Sequence, residues 1–369
     1  MNIALIALAS AQHTQLPPLG LAYIAALLEQ RRHIVRIYDL AMPTATLRWN
    51  DALRPLCTFH PHAVILVGHE GSGVRSALQA LCGEAVQLLT LESGCDGNDA
   101  PTLCTRAMAW IDQLEVGVTY PPLQWADLDH LPLPARHLLA LEGYQLRTLA
   151  GDLQTTLQLA TATPRPGVAP TLRRPACIAA ELRSVSQEYG IRHYTFVGAP
   201  MTGDRAWLLE LRACLQDMCP AIRWSAQADV QQLDTQRLHL LRNAGCEQLQ
   251  MTFTATDLYD SVSAQARVRA LLACAEGLGM RIHTELLVDH PTDQAGRLVA
   301  LAATCGMNDL SIRVAEPVTG EMRMENDRLT AHVRANYPYQ RYRQRMIDRF
   351  GPTLGAFVWG LQGLQPGRL

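Results

Sequence analysis

Residues able to do covalent or metal chemistry are plentiful in this sequence but poorly grouped. The ten cysteines stand at 57, 82, 95, 104, 177, 214, 219, 246, 274 and 305. No pair has C-x2-C spacing, which argues against a zinc ribbon or a thioredoxin-type motif, and no metal site is expected. Cys214 and Cys219 share one helical stretch with no third ligand nearby, so reduced, mostly buried thiols are the expectation. Every basic side chain is arginine and there is no lysine. Schiff-base and pyridoxal-phosphate chemistry therefore lack their amine, and the lysine of a P-loop is missing too.

Histidine and carboxylate pairs come closer to usable chemistry. His283 and Glu285 alternate on one strand-like run, with His290 just beyond its end. Such a set could do acid–base work, or could equally be internal polar groups satisfying one another. His69 and Glu70 follow an apolar run and read either as a ligand contact or as an exposed loop pair. Asp152, Ser72 and Thr254 fit no nucleophile motif, because no G-x-S-x-G elbow is present.

These residues need elements to position them, and the pattern is one of alternating strands and helices. Ile3–Ala9, Val35–Leu40, Ala63–Gly68 and Val86–Leu91 are apolar runs of strand length, with helices expected over Gly20–Gln30 and Val74–Cys82. Continuous apolar strands separated by helices imply a parallel sheet buried on both faces. Ligands of such sheets bind beyond the carboxyl ends of the strands, here Ser10–Gly20, Gly68–Gly73 and Gly94–Asn98. Pro-rich Tyr120–Pro134 reads as an ordered linker. Beyond it, strands are expected at Thr156–Ala160, His193–Val197, Arg223–Gln227, Gln248–Phe253, Arg281–Val288 and Asp309–Val314. Helices are expected between them at Cys177–Glu188, Ala206–Met218, Gln232–Ala244, Ser263–Leu278 and Thr292–Cys305. Six such units suggest a full or partial TIM-like barrel, with its chemistry in the loops after the strands. The expected fold class is thus α/β. Its domains are a doubly wound, Rossmann-like domain over 1–119, a linker over 120–147, a partial barrel over 148–325 and a helical tail over 326–369.

Composition bounds the rest. Hydrophobic residues make up 48% and charged residues 18%, with net charge −2, so no attraction to nucleic acid or a membrane surface is expected. No apolar run reaches the roughly 18 residues that span a bilayer. Met1–Leu8 lacks a basic n-region and reads as a first strand, so the expected location is cytoplasmic.

Pro17-Pro18-Leu19-Gly20-Leu21-Ala22-Tyr23, closed by Val35-Arg36-Ile37-Tyr38-Asp39, resembles the opening of the cobalamin-binding domain of cobalamin-dependent radical SAM enzymes. Asp127–Arg136 (DLDHLPLPAR) is similar to that family's interdomain segment. Ala244-Gly245-Cys246, Asp289–Asp293 and Glu316–Gly320 are similar to turns of its barrel. The resemblance covers roughly residues 1–325. It implies a cobalamin-like site at Pro17, Gly20, Gly68, His69, Ser72, Gly73, Gly94 and Gly97, although Gly-rich turns are also what any doubly wound sheet requires. Cobalamin and S-adenosylmethionine are the cofactors it brings into question.

The sequence departs from the family where the chemistry would be. The family holds a [4Fe–4S] cluster on a C-x3-C-x2-C loop after the first barrel strand. Between Thr161 and Arg174 this chain has no cysteine, so no [4Fe–4S] cluster is expected. Gly198-Ala199-Pro200, Trp224–Gln227 and Thr252–Ala255 replace the acidic, arginine and Gly-x-Glu-Ser-like positions after the next three strands. Two readings follow. One is a cluster-less homologue, a non-catalytic partner or small-molecule-binding scaffold, working beside an active biosynthetic enzyme or as a homo-oligomer. The other is a methyltransferase using cobalamin or S-adenosylmethionine in polar chemistry.

Overall fold

The computed structural model describes the chain apart from residues 9–15, 41–48, 69–72, 84, 92–99, 116–127, 145, 149–150, 160–171, 199, 202–204, 217, 219–220, 255–261, 289–292, 308, 315–330, 332–336, 338–340, 343, 352–353 and 355–369. Two compact units emerge: Met1–Ala199 with Cys214–Ile222, and Pro200–Ala213 with Arg223–Leu369. The chain is α/β with two parallel sheets, as its alternating pattern predicts.

In the first unit β1 (Asn2–Ala7), β2 (Ile34–Asp39), β3 (Ala63–Val67) and β4 (Gln87–Leu91) form a parallel sheet in the order β2-β1-β3-β4. The alternation of β1 explains why helices must cover both faces. Ile3, Leu5 and Ala7 meet α1 (Leu19–Gln30) and α4 (Ala100–Leu114). Ala4, Ile6 and Leu8 meet α2 (Trp49–Phe59) and α3 (Val74–Cys82) on the other side. Helices α2 and α4 are absent from the sequence expectation. Pro55 inside α2 masks its periodicity. In α4 the buried positions 100, 103, 104, 107, 108 and 111 recur at helical spacing, a signal legible in the sequence beyond the Gly94–Asn98 turn.

Helix α1 is buried from Leu19 to Leu28 on every side. A helix apolar all round needs a covering on each face. The sheet supplies one, and Leu131, Ala135, Leu139 and Tyr144 of the Pro-rich segment supply much of the rest. That segment turns through three short 3₁₀ pieces, Leu128–His130, Arg136–Leu138 and Leu141–Tyr144. The same compact unit contains β5 (Gln154–Gln158), α5 (Pro175–Tyr189) and β6 (His193–Val197), with β5 and β6 paired in parallel. Between α1 and β2, buried His33 brings Nε2 to 3.3 Å from Glu115 at the end of α4.

After α6 (Arg205–Gln216), the second unit carries β7 (Arg223–Asp229), β8 (Cys246–Phe253), β9 (Arg281–Val288) and β10 (Asp309–Val314), each parallel to its sequence neighbour. Helices α7 (Thr235–Asn243), α8 (Val262–Gly277) and α9 (Asp293–Cys305) intervene. Strand β7 runs two residues past the expected Gln227 end, which puts Asp229 at its carboxyl tip. Trp224, Ala226, Leu249, Met251, Phe253, Leu286 and Ile312 are buried on one face of this sheet. In the tail, buried Tyr337 donates to the Met307 carbonyl at 2.6 Å. No described helix is long and apolar enough to cross a membrane.

Candidate functional site

The strand order of the first sheet reverses between β1 and β3, the point where open α/β sheets take ligands at their carboxyl edge. Leu8 donates to the Val67 carbonyl at 2.9 Å and Gly68 to the Leu91 carbonyl at 3.0 Å, so the strand tips stay paired up to that edge. Gly68 is buried with φ +127°, and a Cβ there would meet Leu8 Cβ at 3.0 Å and Leu8 O at 3.1 Å. Only glycine passes at this spot. Gly73 caps α3 with φ +105°, and a Cβ there would meet nothing within 4 Å. Its backbone is therefore open to approach. Pro17 and Gly20 are buried at the start of α1. His69, Ser72, Gly94 and Gly97, with Glu70, lie outside the described residues.

A second constellation was not expected as a unit. Arg136 donates to Thr155 Oγ1 at 3.1 Å, to the Thr156 carbonyl at 2.7 Å and to Glu181 Oε1 at 2.8 Å. Arg173 donates to Glu181 Oε2 at 2.6 Å and to the Gln158 carbonyl at 3.1 Å. Tyr23, from α1, lies 3.5 Å from Glu181 Oε2 and 3.4 Å from Arg173. Burial alone would push Glu181 up, but Arg173 and Arg136 outweigh it and hold the carboxyl below its ordinary value. Burial, then Glu181, push the Tyr23 phenol well above its ordinary value, so it stays a neutral hydroxyl. One carboxylate thus ties α1, the Pro-rich segment, β5 and α5 together.

Asp129 completes the tie. Both its oxygens accept the Arg174 backbone N–H at 3.0 Å, and Oδ2 accepts Arg174 Nε at 2.8 Å. Asp129 thereby caps α5 from a distant part of the chain, with Pro175 in the first turn. The DLDHLPLPAR segment is therefore a brace whose Asp129 and Arg136 both bind around α5. The cysteine-free stretch over 160–171 lies outside the described residues, but its two feet meet where Arg173 donates to the Leu159 carbonyl at 3.0 Å. Cys177, in the first turn of α5, is raised above its ordinary value by burial and then by its hydrogen bond to Asp129. Among the described residues no group of three or more His, Cys, Asp or Glu side chains gathers to hold a metal ion.

In the second unit the strand register aligns polar residues in rows on one face. Gln227, Gln250, His283 and Asp309 form one row; Asp229, Thr252, Glu285 and Ser311 form the next. His283 Nδ1 lies 2.8 Å from Asp309 Oδ2, and Nε2 lies 3.0 Å from Ser311 Oγ. Thr252 donates to Glu285 at 3.2 Å. Asp229 accepts the Gln231 N–H at 2.9 Å, shaping the turn after β7. His283 and Glu285 share a face, as their alternation predicts, yet each is held by different partners. His283 sits in the amino-terminal half of β9, away from the carboxyl edge where barrels place their chemistry. His290 lies outside the described residues. These side chains are half-exposed or exposed, while the opposite face is buried. The result is an open polar wall able to hydrogen-bond a ligand. Asp229 was missed because the strand was ended too early, and Asp309 and Ser311 because their proximity to His283 depends on register.

No protein-family model matches the sequence, and no curated protein matches it. Solved structures do. OxsB, a cobalamin-dependent S-adenosylmethionine radical enzyme with aqua-cobalamin and S-adenosylmethionine bound, aligns with TM-score 0.59 and 11% identity over 89% of this chain and 55% of its own. The chain thus spans about half the length of OxsB. TsrM from Kitasatospora setae, a radical S-adenosylmethionine methyltransferase with cobalamin and a [4Fe-4S] cluster bound, aligns with TM-score 0.58 and 11% identity over 88% of this chain and 77% of its own. TsrM with a tryptophan substrate and a SAM analogue aligns with TM-score 0.58 and 12% identity over 84% and 72% of the two chains. The chain shares the fold of cobalamin-dependent radical SAM enzymes.

Proposed function

We propose that this chain is a cluster-less homologue of cobalamin-dependent radical SAM enzymes, acting as a ligand-binding scaffold beside a catalytically active enzyme of cofactor or natural-product biosynthesis. One observation carries the reading. The segment joining β5 to α5 contains no thiol, and where it rejoins α5 the chain commits Arg173 to a buried ion pair with Glu181. An iron–sulfur cluster needs thiolate ligands, and this donor set does not fit one. No step through a cluster follows.

The carboxyl edge of the first sheet fits a ligand better. Its open backbone at Gly73 and its location at the strand-order reversal support binding there, with cobalamin the ligand implied by the fold. A second reading is polar methyl transfer using cobalamin or S-adenosylmethionine. It is favoured by the ordered polar wall, where His283 is oriented by Asp309 and Glu285 by Thr252. A cytoplasmic location and a partner enzyme belong to the same proposal.

The test is purification with hydroxocobalamin present, followed by an absorbance spectrum and iron analysis. The proposal expects no iron. Corrinoid retained near stoichiometry, together with methyl transfer to an added acceptor, moves the balance to the second reading. An iron–sulfur absorbance band with matching iron content overturns both.

A further inference from the structure

On the face of the first sheet covered by α2 and α3, two thiols and a phenol come together. Cys57 lies in the last turn of α2, and Cys82 is the last residue of α3. Both are free thiols and both are half-exposed, so a small molecule in solution reaches them. Cys57 Sγ lies 3.8 Å from the Leu81 carbonyl oxygen and therefore abuts the peptide that leads into Cys82. Leu81 and Cys82 pack against the same apolar cluster as Tyr38 of β2. Burial pushes the Cys82 thiol up, and Cys57 pushes it further. At Tyr38 burial raises the phenol against the opposing pull of Arg36, and Cys82 adds to the rise.

Two features of this cluster are unlike simple packing. The Tyr38 hydroxyl is buried and makes no hydrogen bond among the described residues. A buried hydroxyl without an acceptor is uncommon and costly. A thiol accepts hydrogen bonds weakly, whereas an ionised sulfur accepts them strongly, so Tyr38 is a donor suited to a neighbouring thiolate. The second feature is the turn after α3. Gly83 follows Cys82 with φ +85°, and a Cβ there would meet nothing within 4 Å. Cys82 thus ends its helix on a turn with room to adjust.

We propose that Cys57 and Cys82 are a redox-active dithiol that closes a disulfide between the ends of α2 and α3, with the Tyr38 hydroxyl donating to the reacting sulfur. The co-reactant is a low-molecular-weight disulfide such as oxidised glutathione. One thiolate of the pair attacks it, forming a mixed disulfide and releasing one small thiolate. The second thiolate attacks the protein sulfur of that mixed disulfide, forming the Cys57–Cys82 bond and releasing the other small thiolate. The two protons given up by the pair go to the two released thiolates. The pair loses two electrons, and the small disulfide gains them.

The experiment treats the folded full chain with oxidised glutathione at about pH 8.5, where thiols ionise appreciably. Samples are quenched by alkylation, digested without reductant and mapped by mass spectrometry. A Cys57–Cys82 linked peptide in most chains, with the other cysteines alkylated, supports the pair. Cys57→Ser and Cys82→Ser each abolish the linkage and leave glutathione on the remaining thiol. Closing the loop over 58–81 takes freedom from the unfolded chain, so the oxidised protein melts at a higher temperature and dithiothreitol reverses the rise. In Tyr38→Phe closure slows about fivefold, the worth of one net hydrogen bond. Phenylalanine keeps the ring, so the reduced variant melts no lower than the reduced parent. Glutathione on both Cys57 and Cys82 with no linkage between them overturns the proposal. So does a linkage of either to a different cysteine, or a linked chain that melts below the reduced one. An unchanged closure rate in Tyr38→Phe overturns the part given to Tyr38.

Discussion

Glu181→Gln tests whether the buried brace holds the first unit together. In the native unit Glu181 is 1% exposed and faces Arg136 at 2.8 Å and Arg173 at 2.6 Å, themselves 3% and 4% exposed. Glutamine keeps the shape but removes the only negative charge these pairs share. Two guanidiniums are then left buried side by side. Breaking a buried pair in this way costs about 3–5 kcal/mol, because an uncompensated charge stays out of water. For a unit of this size that lowers Tm by roughly 6–20 °C. The assay is urea and thermal unfolding at neutral pH, with Arg174→Ala as comparison. The Arg174 guanidinium is 66% exposed, so its pair with Asp129 is worth no more than about 1 kcal/mol. A Glu181→Gln variant that loses no more than Arg174→Ala refutes the reasoning. The triple change of Arg136, Glu181 and Arg173 to methionine should recover much of the loss, since an apolar filling leaves no stranded charge. The pH dependence has a definite sign. The folded carboxyl lies below its ordinary 4.5, so its contribution is full above that value and is lost as pH falls through the lower folded value.

Two further outcomes follow from the first sheet. Gly68→Ala should destabilise by about 1–3 kcal/mol through left-handed strain, and by more through its 3.0 Å approach to Leu8. Gly73→Ala, with a similar φ but open space, should lose only that strain of about 1–3 kcal/mol, and the larger loss at Gly68 should show in the urea midpoints. Burial holds His33 below its ordinary 6.5 despite the pull of Glu115, with the Met1 amine and Arg31 acting in the same direction as burial. The unfolded chain therefore takes up the proton first, and stability falls as pH drops below that value. Midpoints at about pH 7.5 and 5.5 should show a drop that His33→Gln reduces, and an unchanged slope in that variant would sink the assignment.

The alternation of the first four strands was legible because each is an apolar run bounded by turn residues, and α1 because its motif is apolar throughout. The ends of elements were less so. β7 continues past Gln227 because Ala228 alternates inward like Ala226, a pattern that two small residues state only weakly. Helix α2 was hidden by Pro55, which the structure accommodates inside the helix.

What the sequence by itself determined is chemistry by omission and by period. No thiol lies between Thr161 and Arg174, no lysine is available anywhere, and the strand–helix alternation dictates parallel sheets. Only the tertiary structure decided which distant residues share a charge. Asp129, Arg136, Arg173 and Glu181 are spread over 53 positions and carry no common motif. Burial made them interdependent, because a charge withdrawn from water must find its partner wherever the fold supplies one. In the second unit the meeting of His283 with Asp309 and Ser311 was likewise a matter of strand register, which local pattern does not encode.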